Sequence, residues 1–187
     1  NFFDFFYIIM ELIQGGEMFD RIIEHGIYTE EDARQQIRTV CETLHYCHEV
    51  GVVHLDIKPE NLLYKSRRND GTDKLKICDF GIAREVGIND TIESDGLFHG
   101  TMGYCAPEIL RLSPYGSKTD VWSVGCTIIE MATGRPPWSQ YSNPVTAMYH
   151  IACVEELPEM PSSLGSAGHD FLVLCLAIQS VFDGLFR

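Results

Sequence analysis

Hydrophobic and polar residues follow several different rhythms along this chain, and each rhythm predicts an element. Ala33, Ile37, Val40, Cys41 and Leu44 recur at intervals of three, four or seven. They define the inward face of a helix running from about Thr29 to Gly51. Thr29-Glu30-Glu31-Asp32 opens it as a capping box, with Asp32 where Glu is more common. The run VWSVGCTIIEMA at 121–132 is apolar on nearly every face, as in a helix at the centre of a domain. Ser117-Lys118-Thr119-Asp120 is expected to cap its start, and Arg135-Pro136-Pro137-Trp138 to end it. Shorter helices are expected from Glu17 to about His25, closed by Gly26, and over 144–153 and 168–178. Strand signals are brief: 5–10, broken by Gln14-Gly15-Gly16, then 62–64 and 74–78 with the polar loop KSRRNDGTD between them.

Residues 79–115 carry little periodicity and many turn formers. Long ordered loops in compact domains are usually functional. With no repeat and no linker, the pattern gives one domain, mainly α with a few short strands.

Composition narrows the class. A chain of 187 residues, 45% hydrophobic and 22% charged, is long enough for a core and too apolar for wholesale disorder. The net charge of −13 repels nucleic acid and anionic membranes and attracts basic peptides. Seven dispersed cysteines without a C-x-x-C pair point to reduced thiols in the cytoplasm or nucleus. No apolar run is long enough to span a bilayer. The first ten residues, interrupted by Asp4, read instead as a buried strand pair.

The chemistry lies in two segments. His54-Leu55-Asp56-Ile57-Lys58-Pro59-Glu60-Asn61 sits at a helix-to-strand turn, and Asp79-Phe80-Gly81 follows the next hairpin. Together they supply two carboxylates, an amide and an ammonium on neighbouring loops. Phosphoryl transfer to an alcohol needs such a set: one carboxylate for the hydroxyl, oxygen ligands for Mg²⁺, and a cation for the transferring charge.

H-x-D-x-K-x-x-N, D-F-G and Ala106-Pro107-Glu108 occur here in the order and spacing of the eukaryotic-type protein kinases, and the chain resembles their serine/threonine-directed members. The resemblance implies the kinase large lobe, with the small lobe almost entirely missing. Residues 1–16 correspond to the last small-lobe strand and hinge, and 17–187 to the C-terminal lobe, atypical from about 180. It implies ATP and Mg²⁺ as cofactors, Asp56 as catalytic base, Lys58 as the cation near the γ-phosphate, and Asn61 and Asp79 as metal ligands. Met10, Glu11 and Ile13 fall on the adenine-binding hinge, with Met10 as gatekeeper, and Leu63 on the apolar floor under the ring. Glu17 matches a contact to ribose and to a basic substrate side chain. Lys58 and Thr101 mark preference for Ser and Thr, and Glu17 with Glu60 favours Arg or Lys before the target. Asp120 resembles the buried carboxylate that braces the catalytic loop; His54 and Glu108 are structural supports.

Departures from the family are informative. No Gly-rich strand-turn-strand with a strand Lys occurs in this sequence, so the chain alone is expected to have little or no activity. Leu55 stands where most kinases carry an Arg that pairs with a phosphorylated loop, so Thr91 and Ser94 are phosphosites lacking that anchor. Regulation is then expected outside this chain, of calmodulin type or through a kinase cascade. Residues 17–61 resemble calmodulin-regulated and myosin-light-chain-kinase-like enzymes; residues 120–174 resemble mitogen-activated kinase kinase kinases. The Arg expected to pair with Glu108 is replaced near Phe182, with Arg187 as a candidate substitute. Cys78, directly before Asp79, is expected to face the nucleotide pocket and react with electrophiles. Cys41, His45 and His48 share a helical face, but a structural zinc site takes four ligands, and a packed or exposed face is expected. Two other readings stay open: a pseudokinase, and a truncated regulatory or scaffolding fragment.

Overall fold

A computed structural model describes residues 7–66, 74–87, 91–154 and 156–177. Its axis is the helix predicted from the all-round apolar run, labelled α4 below. Every residue from Trp122 to Ala132 is buried, because partners cover this helix on all sides. Earlier in the chain come α1 (Met18–His25) and α2 (Glu30–Glu49). Then follow the short strands β1 (Val52–Val53), β2 (Leu62–Tyr64), β3 (Leu75–Ile77) and β4 (Arg84–Glu85). The helices α3 (Pro107–Leu110), α4 (Lys118–Thr133), α5 (Pro144–Tyr149) and α6 (Ser166–Cys175) complete the order.

α2 packs on α4 through Ala33, Ile37, Val40 and Leu44, the face its periodicity predicts, and α6 packs on α4 with Leu172 buried. α4 stops at Gly134, whose φ of 68° closes the helix with a 2.8 Å bond from its N–H to the Glu130 carbonyl. The strands form two antiparallel pairs. β2 and β3 match Leu62 with Ile77 and Tyr64 with Leu75, and β1 and β4 match Val52 with Glu85. Both pairs lie where the chain turns between helices, and they hold the segments that carry the chemistry.

The fold departs from expectation at several places. Asp120 takes no part in a cap with Ser117, which has helical backbone angles and no capping bond. Its carboxylate is drawn into the interior by stronger donors. In the Thr29 box the hydroxyl accepts the Asp32 N–H at 3.2 Å and donates to the Asp32 carboxylate at 2.6 Å. Residues 7–10 form no strand and lie exposed, since no described residue pairs with their backbone ladder. The expected helix at 144–153 divides into α5 and a π-helical turn, His150–Val154. The loop from 79 to 115 includes β4, the 3₁₀ turn Met102–Tyr104 and α3. The calls on residues 1–6 and on 178–187, including Phe182 and Arg187, fall outside the described residues.

Gly125 lets α4 approach the C-terminal end of α6 closely. A Cβ there would stand 3.0 Å from both Cys175 Cβ and Leu176 Cδ2. Gly125→Val is therefore expected to cost about 1–3 kcal/mol of unfolding free energy by overpacking. Urea denaturation measures it, and an unchanged midpoint would refute this contact.

Candidate functional site

The loop following α2 is held from behind by one carboxylate. Asp120, with no exposed surface, accepts the N–H of His54 at 2.9 Å and of Leu55 at 2.8 Å, and faces His48 Nε2 at 2.8 Å. Leu55 has φ 71°. A leucine in the left-handed region is strained and persists only when its surroundings over-determine it. The Asp120 bonds do so. The Leu55 side chain, 3% exposed, packs with Val53, Cys105, Ile109 and Tyr115, against which Ile82 and Ile92 also pack. His54 is fully buried. Its Nδ1 accepts the Asp56 N–H at 3.2 Å, so the ring proton lies on Nε2, which donates to the Cys78 carbonyl at 3.0 Å.

That backbone delivers Asp56 to a cluster of donors. Thr101 Oγ1 donates to Asp56 Oδ1 at 2.7 Å, and Asn61 Nδ2 donates to Oδ2 at 2.9 Å and to the Asp56 carbonyl at 2.8 Å. Lys58 Nζ lies 3.0 Å from Asp56 Oδ2 and donates to Thr101 Oγ1 at 2.6 Å. Burial pushes the Asp56 carboxyl up, but the bonds from Thr101, Lys58 and Asn61 outweigh it and hold the group below its usual value. Asp56 is thus an ionised acceptor at neutral pH. Gly100 allows Thr101 to come this close: a Cβ on Gly100, at φ 101°, would sit 2.7 Å from the Leu55 carbonyl oxygen.

Asp79 is brought beside this cluster by the β2–β3 pair, where the Cys78 N–H donates to the Asn61 carbonyl at 3.0 Å. Its φ is 61°, and its Oδ1 accepts the Gly81 N–H at 3.2 Å. Phe80 meets the His54 ring edge-on, centroids 4.6 Å apart. Asn61 uses its amide nitrogen on Asp56, which leaves its oxygen for other work. One exposed carboxylate and one amide oxygen are hard donors suited to Mg²⁺, which usually completes its shell with water and substrate phosphate. The donor set fits such an ion. Among the described residues no three His, Cys, Asp or Glu side chains form a metal cage. His45 turns to Glu49 at 3.5 Å and His48 to Asp120, so the helical face with Cys41 is split between solvent and core.

The hinge side is more open. Gly15 donates its N–H to the Tyr64 carbonyl at 2.9 Å, an approach so close that a Cβ would lie 2.1 Å from that oxygen. This docking sets Glu17 opposite Leu63 in an isolated bridge, at the N-terminus of α1. Met10 is 81% exposed, Ile13 is half-buried, and Glu11 pairs with Lys76. The structure therefore brings Glu17 and Leu63 together but leaves Met10 far from any described core. A gatekeeper needs a neighbouring strand to bury it, and no described residue supplies one. Burial, then Asp79 and Glu17, push the Cys78 thiol up. A raised thiol is a slower nucleophile at neutral pH than an activated one.

An acidic patch lies on the other side of the loop. Glu60 Oε2 is buried without a hydrogen-bond partner. Glu130, 2% exposed on α4, accepts a bond from the Tyr104 hydroxyl. Burial pushes the Glu130 carboxyl up, the Tyr104 bond opposes this, and Glu60 adds to the rise. Burial and the Glu130 charge likewise push Tyr104 up. Sequence reasoning found Glu60 but missed Glu130 and Tyr104. The signal was present: Glu130 is the lone carboxylate inside a run apolar on every face. Glu108 accepts the Thr119 hydroxyl at 3.0 Å. Thr91 is exposed, and Ser94 accepts the Gly96 N–H at 3.2 Å; the site groups lie elsewhere.

Comparison with known proteins agrees with the motif order. The family described as "Protein kinase domain" is matched over residues 3–180. The chain is 47% identical over 135 residues to calcium/calmodulin-dependent protein kinase type 1 of Macrobrachium nipponense, covering 71% of this chain and 36% of that protein. It is 45% identical over 141 residues to the type 1 enzyme of Caenorhabditis elegans, covering 74% and 38%. To the type IV enzyme of Mus musculus it is 45% identical over 131 residues, covering 70% and 27%. The matched segment spans between 27% and 38% of the length of these relatives.

Two outcomes follow from the geometry. Asp120→Ala leaves buried donors unmatched and is expected to cost about 3–5 kcal/mol in chemical denaturation; a loss near zero would show that the brace is dispensable. Labelling of Cys78 by iodoacetamide, followed by intact mass, is expected to be slow at pH 7 and to quicken as pH rises past the usual thiol value. Rapid labelling at neutral pH would contradict the raised thiol.

Proposed function

This chain belongs to the protein kinase domain family, and from that premise we propose that the protein containing it transfers the γ-phosphate of ATP to Ser and Thr hydroxyls of protein substrates. The observation that supports this best is the convergence of Lys58, Asn61 and Thr101 on the Asp56 carboxylate. An incoming hydroxyl can replace one of these donors on Asp56, which orients it and takes its proton as the bond to phosphorus forms. Lys58 is placed to offset negative charge on the transferring group. Asn61 and Asp79 are the residues that would hold Mg²⁺, which when bound screens the phosphate charge. Glu17 and Leu63 would line the nucleotide side, with Glu11 and Ile13 at the hinge. Thr101, bonded to both Asp56 and Lys58, ties substrate-side backbone to the catalytic pair.

Substrate choice follows from the acidic patch. Glu60 carries an unpartnered buried oxygen beside the Glu130–Tyr104 pair. Such oxygens are costly unless a cation satisfies them. An Arg or Lys a few residues before the target hydroxyl would do so, with Glu17 as a second acidic contact. Regulation by calmodulin fits the similarity to calcium/calmodulin-dependent kinases. The stretch 79–115 packs on the apolar cluster around Leu55 through Ile82, Ile92 and Tyr115, so phosphate at Thr91 or Ser94 is not needed to order it. The cysteines, all free, fit a reducing compartment such as the cytoplasm. Without a Gly-rich strand-turn-strand in its sequence, the 187-residue chain alone turns over weakly.

Turnover of Mg·ATP by the intact protein on a Ser peptide with Arg two and three residues upstream tests the reading. Asp56→Asn is expected to lower kcat at least about 100-fold. Glu60→Gln and Glu130→Gln are expected to raise KM for that peptide about tenfold while sparing a neutral peptide. Binding of ATP without any phosphate transfer would instead indicate a pseudokinase. In the same assay, Thr91→Ala and Ser94→Ala are expected to leave kcat unchanged, and a large fall would overturn the Leu55 argument.

A further inference from the structure

We propose that Asp95 and His99 form a latch that positions Thr101 on the Asp56–Lys58 pair, so that a carboxylate built into the chain orders this side of the site. The inference deepens the kinase reading above and rests on it for any effect on turnover, while the latch itself stands on geometry.

Thr101 joins the pair: it donates to Asp56 Oδ1 at 2.7 Å and accepts from Lys58 Nζ at 2.6 Å. The chain reaches it through a stretch with no regular structure of its own. Upstream, Ile92 and Tyr115 exchange backbone bonds of 2.7 and 3.1 Å. Downstream stands the 3₁₀ turn Met102–Tyr104. No helix or strand spans 93–101. Backbone groups that no ladder pairs are left to side chains or water.

Asp95 supplies such a side chain. Its Oδ2 faces His99 Nε2 at 2.8 Å, and its Oδ1 accepts the Leu97 N–H at 3.0 Å. An ionised carboxylate oxygen only accepts, so Nε2 carries a proton in this contact. The His99 bond first, and then the Leu97 N–H, hold the Asp95 carboxyl below its usual value, and the His99 and Arg84 charges add to them. Asp95 is thus ionised at neutral pH, and its charge is present without any modification of the chain.

His99 carries the effect toward the site. Its side chain is 17% exposed against 48% for Asp95, and its carbonyl accepts the Cys105 thiol at 3.5 Å. Gly100, close against the Leu55 carbonyl, then leads directly into Thr101. An exposed ion pair contributes little by itself. This one matters because its ring is largely covered and lies two residues from the group that touches Asp56 and Lys58. Among the described residues neither Asp95 nor His99 bonds to that pair, so both act through Thr101.

A double-substitution cycle on the intact protein, with Mg·ATP and the Ser peptide, tests the latch. Asp95→Ala and His99→Ala are each expected to lower kcat about fivefold with KM for ATP unchanged. The double variant is expected to lose no more than either alone, as partners in one contact do. Asp95→Asn, whose amide oxygen can accept both bonds, is expected to recover most of kcat. The Tyr104 N–H donates to the Thr101 carbonyl at 2.9 Å, so its exchange reports on Thr101 without turnover. That exchange is expected to quicken about fivefold in Asp95→Ala, with α2 amides unaffected. Unchanged kcat in either alanine variant, losses that multiply in the double variant, or unchanged exchange at Tyr104 overturns the proposal. Should the alanine variants fail to fold, Asp95→Asn decides: near-wild-type kcat supports the latch, and a fivefold loss overturns it. A wild-type protein inert toward Mg·ATP sinks the kinase reading and the role in turnover, while faster Tyr104 exchange in Asp95→Ala still supports the latch. An active wild type with unchanged exchange sinks the latch and leaves the kinase reading standing.

Discussion

Everything at this site depends on a fully buried carboxylate that has given up its local cap to hold a distant loop. Asp120 stands in the first turn of α4, where a capping role with Ser117 would have been ordinary. It bonds instead across 65 and 66 residues of sequence to Leu55 and His54. A buried charge is costly unless donors surround it. Here the donors are main-chain N–H groups that the loop could not otherwise satisfy, so helix and loop each meet the other's need.

From that brace the rest follows in order. The loop is held in a strained conformation, the strain aims Asp56, and Asp56 gathers Thr101, Asn61 and Lys58. The β2–β3 pair then adds Asp79 through a single residue of separation from the Cys78–Asn61 bond. On the far side, Leu55 puts an apolar side chain where charge would be expected. The segment above it packs against this side chain's cluster through Ile82, Ile92 and Tyr115. Below lies the Glu60–Glu130–Tyr104 group, in which burial and the neighbouring Glu60 raise the Glu130 carboxyl while the Tyr104 hydroxyl opposes the rise. One loop thus presents an anionic acceptor, Asp56, a cation, Lys58, and the buried carboxylate oxygen of Glu60 within a few residues.

Part of this was legible in the chain and part was not, for identifiable reasons. α2 was readable because Ala33, Ile37, Val40 and Leu44 repeat with the helical period. α4 was readable because its run is apolar all round. His54 to Asn61 was readable because its chemistry is compressed into eight adjacent positions. Ser117-Lys118-Thr119-Asp120 misled because capping patterns judge only neighbours, and the donors that won Asp120 lie far upstream. His48 looked like one member of a packed or exposed helical face, since nothing local reveals a partner 72 residues away. Residues 7–10 have strand composition, yet a strand exists only against a neighbour.

The sequence by itself determined the kinds of groups available, their order and the helices that carry them, because periodicity and short-range spacing are local properties. It also implied the family, through three motifs in one order. Only the tertiary structure decided which backbone N–H groups Asp120 holds, that Glu130 and Tyr104 pair beside Glu60, and that burial pushes the Cys78 thiol up. Those outcomes depend on burial and on contacts between distant segments, and a linear pattern encodes neither.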